Sequence, residues 1–250
     1  MDYQDYSRLK KRIVPSLRFN QEIYEDFISQ HISGETIWLD AGCGRHILPV
    51  WRIEAERALV KAAKIALGCD VDESSLHEHA TLTRRLVASL DDLPLQRESV
   101  DLVTCNMVVE HLHHPRKTFA ECARVLKVGG RLIIHTPNAY SYFVLLSRLV
   151  PRGPKLRLVR MLDGRRDRDV FPTRYLANTP RKLRALMAEC GLEEERFSLL
   201  ASDAMLASVH PLLTALELLY IKMTMAPRFR LLRVSMLASF VKLSRIGPVA

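Results

Sequence analysis

Short apolar runs alternate with segments of helical period through the first half of this chain. Residues 19–31 carry Ile23, Phe27 and Ile28 at helical spacing with Tyr24 beside them, and Ser33-Gly34 closes that helix. Residues 36–40 predict a short strand running into a glycine-containing loop, and 49–61 a helix with proline at its start. The alternation then repeats: strand 64–69, short helix 73–80, strands 85–88 and 100–107, helix 116–126 closed by Gly129-Gly130, and strand 131–136 ended by Pro137. Strands alternating with helices in this way imply a parallel sheet covered on both faces. Ligands in such sheets sit beyond the carboxyl ends of the strands, so the informative loops follow Leu39, Cys69, Ala88, Cys105 and His135.

From residue 139 the pattern breaks. An apolar stretch, 140–150, leads into a basic run bounded by proline and glycine, which reads as an insertion with one or two short helices. Residues 179–190 form a clear helix, with Thr179 as N-cap, Pro180 in the first turn and Gly191 past its end. A strand at 192–201 and an apolar helix at 211–223 follow. Residues 233–243 suit helix or strand by period alone; a late antiparallel edge strand is expected. The organisation expected is an N-terminal helical segment (1–33), a cofactor-binding core (34–138), a basic lid or substrate insertion (139–178) and the C-terminal part of the core (179–250).

Charge sharpens the insertion. The chain carries a net charge of +9. Between residues 148 and 184 there are twelve Lys/Arg and three acids, a difference of 12 − 3 = +9, so the remainder is close to neutral. The five cysteines are widely spaced and form no CxxC pair, which fits reduced, buried thiols in a cytoplasmic protein. The start of the chain is polar, unlike a signal peptide, and the apolar runs near 144–149 and 212–221 are too short or interrupted to span a bilayer.

The first loop, Asp40-Ala41-Gly42-Cys43-Gly44, lacks the lysine of a phosphate-binding loop and the third glycine of a dinucleotide fingerprint. Its context says more. Gly68-Cys69-Asp70-Val71-Asp72 ends the second strand with a carboxylate that can accept from both hydroxyls of a ribose. These pieces, followed in order by LVASLDDLPLQRESVDLVTCNMVVEHL, FAECARVLKVGGRLIIHTPN and FPTRYLANTPRKLRALMAECGLE, resemble the class I S-adenosylmethionine-dependent methyltransferases, in particular the type 11 bacterial group.

That resemblance implies a Rossmann-like α/β fold: a seven-stranded, mostly parallel sheet with helices on both faces, plus an inserted helical lid. It also implies S-adenosyl-L-methionine as cofactor. Asp40, Gly42 and Gly44 would lie at its methionine part, Asp70 and Val71 at the ribose, Ser89 and Leu90 at the adenine, Asn106 and Met107 beneath the sulfonium. Two departures stand out: Ser89 where relatives often carry Asp, with Asp91 as a substitute, and Arg45-His46 in place of small residues after the second glycine.

Methyl transfer from a sulfonium is an in-line displacement, so the enzyme chiefly aligns the acceptor and excludes water. A general base is needed only where the acceptor loses a proton, and histidine suits that at neutral pH. His111, with His113 and His114 beside it, His135 at the end of the fifth strand and Tyr140 are the catalytic candidates. Glu110, His111 and His113 lack a fourth spaced ligand, so no metal is expected.

The acceptor expected is a small molecule, anionic or lipophilic, methylated on oxygen. The basic segment serves as a lid whose arginines hold phosphate, as a peripheral membrane contact beside Tyr142–Leu149, as an RNA contact, or as a solvated surface without a partner. Nucleic acid is the least expected partner. The 211–223 helix covers the pocket, docks on the insertion or forms a homodimer contact. An RNA methyltransferase using 148–184, or a binding protein that keeps the fold without catalysis, are the alternatives.

Overall fold

The computed structural model describes residues 3–149, 172–208 and 210–244. In chain order the elements are α1 (Tyr3–Ile13), α2 (Asn20–Ser29), β1 (Ile37–Ala41), α3 (Ile53–Ala62), β2 (Ile65–Asp70), α4 (Glu73–His77), β3 (Arg84–Val87), β4 (Val100–Asn106), α5 (Pro115–Val125) and β5 (Leu126–Pro137). They continue as α6 (Tyr142–Leu149), α7 (Pro180–Glu189), β6 (Leu192–Leu200), α8 (Pro211–Met225) and β7 (Ser235–Lys242).

All seven strands join one sheet in the order β3-β2-β1-β4-β5-β7-β6. The pairs β1/β2, β2/β3, β1/β4 and β4/β5 are parallel. From β1 the chain steps outward to β2 and β3, and from β4 the other way to β5. Right-handed crossovers in opposite directions place α3 and α4 on one face and α5 on the other. The order therefore reverses between β1 and β4, and the crevice beyond their carboxyl ends is where such sheets take a ligand.

The expected mostly parallel, seven-stranded α/β sheet is present, with differences in detail. Pro49 opens a single 3₁₀ turn, Val50–Arg52, before α3 begins. Gly129-Gly130 does not close a helix: α5 ends at Val125 and β5 runs through both glycines. A Cβ at Gly130 would come within 2.9 Å of the Lys127 carbonyl and 3.0 Å of the Asp101 carbonyl, beside a register shift between Val100 and Leu102. The last strand is not an edge strand either. β7 lies between β5 and β6 and is buried along nearly its whole length, which accounts for its continuous apolar run. Its Lys242, fully buried, donates to the Leu126 carbonyl at 2.7 Å and to Glu98 at 3.5 Å.

The chain divides into two compact units. Tyr24–Thr136, Arg174–Ser198 and Met236–Ala250 hold the sheet and its crossover helices. Met1–Ile23, Pro137–Thr173 and Leu199–Ser235 form the other. In this second unit α1 packs Tyr6, Leu9 and Ile13 near Leu218 and Ile221 of α8. His210 caps α8 by accepting from the Leu212 N–H. Most of the basic run, 150–171, lies outside the described residues.

Candidate active site

The site is built in the sheet unit, where β1, β2 and β4 end together. Asp40 stands beside Gly68 of β2 and Thr104 of β4, and Ala41 beside Cys69. The chain then turns sharply: the N–H groups of Gly42 and Cys43 both donate to the Cys69 carbonyl, at 2.7 and 3.2 Å. Gly42 has φ +79°, and a Cβ there would lie 2.5 Å from a methyl of Val108. Gly44 has φ +50°, and a Cβ there would meet nothing within 4 Å. The first glycine thus lets the loop press against the segment after β4, and the second leaves open space above the backbone.

Asp70, the last residue of β2, ties this loop down. Its Oδ2 accepts the Gly44 N–H and its Oδ1 accepts the Asp72 N–H, both at 2.9 Å. A carboxylate oxygen accepts more than one hydrogen bond, so both keep capacity for a ligand's hydroxyl groups. Next to it Val71 is 63% exposed, an apolar side chain standing open where β2 ends. Asp72 caps α4 by accepting from the Ser74 N–H, and further bonds from the Ser74 and Ser75 hydroxyls hold its carboxyl down at about 2.

Asp40 points into the sheet. The Trp38 indole N–H donates to the Thr104 hydroxyl at 2.8 Å, and that hydroxyl donates to Asp40. Burial pushes the Asp40 carboxyl up to about 7. The carboxyl therefore braces the turn from within.

Beyond β4, Asn106 bridges two walls: its amide donates to the Ile47 carbonyl at 2.9 Å, and its carbonyl oxygen stands 2.9 Å from His135 Nδ1. Burial drives His135 down to about 3, so the ring is neutral and Nδ1–H is the donor. The same ring stacks on Tyr24 of α2 with centroids 5.4 Å apart. Met107 follows at φ +58°, its N–H donating to the His135 carbonyl at 2.8 Å. A non-glycine residue held in the left-handed region where several strands end marks a backbone shaped for a task.

The segment after β3 is ordered by its own contacts. Exposed Ser89 accepts the Asp91 N–H at 3.2 Å, while Leu90 is buried. The Asp91 carboxylate takes the Thr118 hydroxyl and the His114 ring, which fastens the segment to α5. Nearby, buried Glu110 accepts the Thr136 hydroxyl at 2.9 Å, and Asn178 donates to that same hydroxyl at 2.7 Å. His111, one residue on, is partly exposed with Nε2 3.9 Å from the Glu110 carboxylate. His113 is exposed. Tyr140, 45% exposed, belongs to the other unit. Of the basic segment, Arg184 forks onto Glu194 and lies over the Phe197 ring, while 150–171 fall outside the described residues.

Residues 39–134 match a methyltransferase domain of the type 11 family. The chain carries a class I S-adenosylmethionine-dependent methyltransferase domain. A ubiquinone biosynthesis O-methyltransferase of Methylococcus capsulatus is 33% identical over 131 residues, covering 46% of this chain and 52% of the relative. A malonyl-[acyl-carrier protein] O-methyltransferase of Hahella chejuensis is 34% identical over 108 residues, 43% of this chain and 38% of the relative. The chain spans about half the length, or less, of these curated relatives. Among solved structures, geranyl diphosphate C-methyltransferase from Streptomyces coelicolor A3(2) superposes with a TM-score of 0.54 at 17% identity, covering 88% of this chain and 77% of that one.

S-adenosylmethionine is the cofactor of this domain, and the residues suit it. The open space at Gly44, the two carboxylate oxygens of Asp70 and the exposed Val71 offer a glycine floor, a diol acceptor and an apolar platform at one strand end. Sequence reasoning did not single out Val108, Asp72 or Tyr24. Asp72 was legible as an acid two residues past Asp70. Val108 and Tyr24 were not, because only the folded chain sets a valine against Gly42 and a tyrosine ring against His135.

Proposed function

We propose that this chain transfers the methyl group of S-adenosylmethionine to an oxygen of a small anionic or lipophilic acceptor. The observation that carries the reading is the tie between Asp70 and Gly44, which sets a diol-accepting carboxylate beside an open glycine turn. When bound, the sulfonium supplies an activated methyl carbon. Asp70, Gly44 and Val71 would hold that group, which would supply the methyl for an acceptor oxygen aligned by the chain.

The chain's own groups hold and desolvate the partners. Asp70 holds the ribose, Leu90 and Ser89 border the adenine, and Asn106 with Met107 closes the floor. His135, neutral and buried, acts as a positioning residue that keeps Asn106 and Tyr24 in place. His111 is the group assigned to take the acceptor's proton, its Nε2 standing 3.9 Å from the Glu110 carboxylate. The reading includes a cytoplasmic protein with a peripheral membrane contact.

A labelled-methyl screen against extracts of the source organism tests this. Label is expected in a small molecule as a methyl ether or ester, and label in RNA alone would overturn the proposal. His111→Ala is expected to lower kcat about 10²-fold or more, the usual worth of a positioned base, with cofactor affinity unchanged.

A further inference from the structure

α8 has two unlike faces. Thr214, Glu217, Leu218, Ile221 and Thr224 are buried, with Leu218 and Ile221 in the cluster that includes Val14 and Leu17. Leu212, Leu216, Leu219 and Met223 are 63%, 55%, 53% and 39% exposed. At about 100° per residue they fall in one stripe roughly 60° wide along the helix. A row of exposed apolar side chains on consecutive turns marks an interaction surface more than scattered single residues do.

The charges around the stripe say what covers it. Lys222 is exposed beside it, and Arg228 and Arg230 are exposed on the turn Pro227–Leu232 that follows, with Leu231, next after Arg230, 51% exposed. From residue 204 to 235 the only acid is Glu217. It is buried, and accepts from the Tyr142 hydroxyl and from the Met205 and Leu206 N–H groups at 2.9 and 2.8 Å. The stripe is therefore edged by cations, and the stretch 204–235 itself adds no exposed carboxylate. A second copy of this face, meeting it about a two-fold axis, would set like charges together. An anionic lipid surface meets both the leucines and the cations.

We infer that α8 rests on an anionic bilayer, with Leu212, Leu216, Leu219 and Met223 at the acyl boundary and Lys222, Arg228 and Arg230 on lipid phosphates. This deepens the peripheral contact of the proposed function, and moves it from the basic insertion to a helix of its own.

The test is co-sedimentation of the full chain with vesicles of phosphatidylcholine alone or mixed with phosphatidylglycerol, at low and high salt. Binding is expected on the mixed vesicles only, weakened by salt. Leu216→Ser with Leu219→Ser is expected to lower partitioning at least about 10-fold. Lys222→Gln with Arg228→Gln and Arg230→Gln is expected to lower it about 100-fold, at roughly five-fold per cation. Circular dichroism and calorimetry with S-adenosylmethionine, both unchanged, show that each variant is folded and its cofactor site intact. Absent binding by the parent chain, or equal binding by both variants, overturns the inference. So does a concentration-dependent dimer that the leucine variant abolishes while vesicle binding persists. Loss of cofactor binding with retained vesicle binding would count against the methyltransferase reading alone.

Discussion

Asp70 Oδ2 accepts the Gly44 N–H at 2.9 Å, joining the end of β2 to the loop after β1. The bond makes one carboxylate both a fastening for the glycine turn and the expected seat of a ribose. Asp70→Ala should therefore weaken S-adenosylmethionine by about 10- to 100-fold, at roughly 1.5–3 kcal/mol for bonds to a charged group. It should also lower Tm by a few degrees. Asp70→Asn, which keeps one acceptor oxygen, should fall between the two. Calorimetry and thermal melts check this, and an unchanged affinity in the alanine variant would refute the ribose role.

Gly42 and Val108 form a second pair. Gly42→Ala adds a methyl 2.5 Å from a Val108 methyl and forces a left-handed φ on a residue with a side chain. The cost expected is about 2–4 kcal/mol, combining overpacking with backbone strain. Adding Val108→Ala should recover the packing part and leave the backbone part. Equal melting temperatures for the single and double variants would show that the methyl contact is unimportant.

Stability against pH separates the buried acid from the buried imidazoles. Asp40, raised to about 7, binds a proton in the folded state that the unfolded chain has lost, so its contribution falls as pH rises from about 4 to about 7. His79, lowered to about 4, and His135, lowered to about 3, behave oppositely. Their stabilisation is present above the ordinary imidazole value and is lost as pH drops towards those lowered values. Between pH 4.5 and 6 these terms oppose one another. Asp40→Asn should remove the falling term and steepen the rise of stability with pH by about 1.4 kcal/mol per pH unit, one proton's worth. Denaturant unfolding across that range checks it; an unaltered slope would mean that Asp40 is ionised in the fold.

The alternation from residue 36 to 137 made the parallel sheet legible, because most strands there are bounded by a turn residue and answered by a helical period. The glycine turn and Asp70 were legible for the same reason: their chemistry is local to a strand end. β7 was harder. A strand buried on both faces shows neither a period of two nor a helical period, so its run of apolar residues suggested a strand but not its place between β5 and β6. Gly129-Gly130 misled because glycine after a helix usually ends it, whereas here the pair sits in β5 at a register shift. Asp91 was read as a substitute adenine contact; its carboxylate is taken by Thr118 and His114, partners far apart in sequence.

The most direct test of the central claim is calorimetry of the purified chain with S-adenosylmethionine. One site per chain, weakened in Asp70→Ala, is the predicted result. An absence of binding at millimolar cofactor, in a chain shown to be folded, would contradict it.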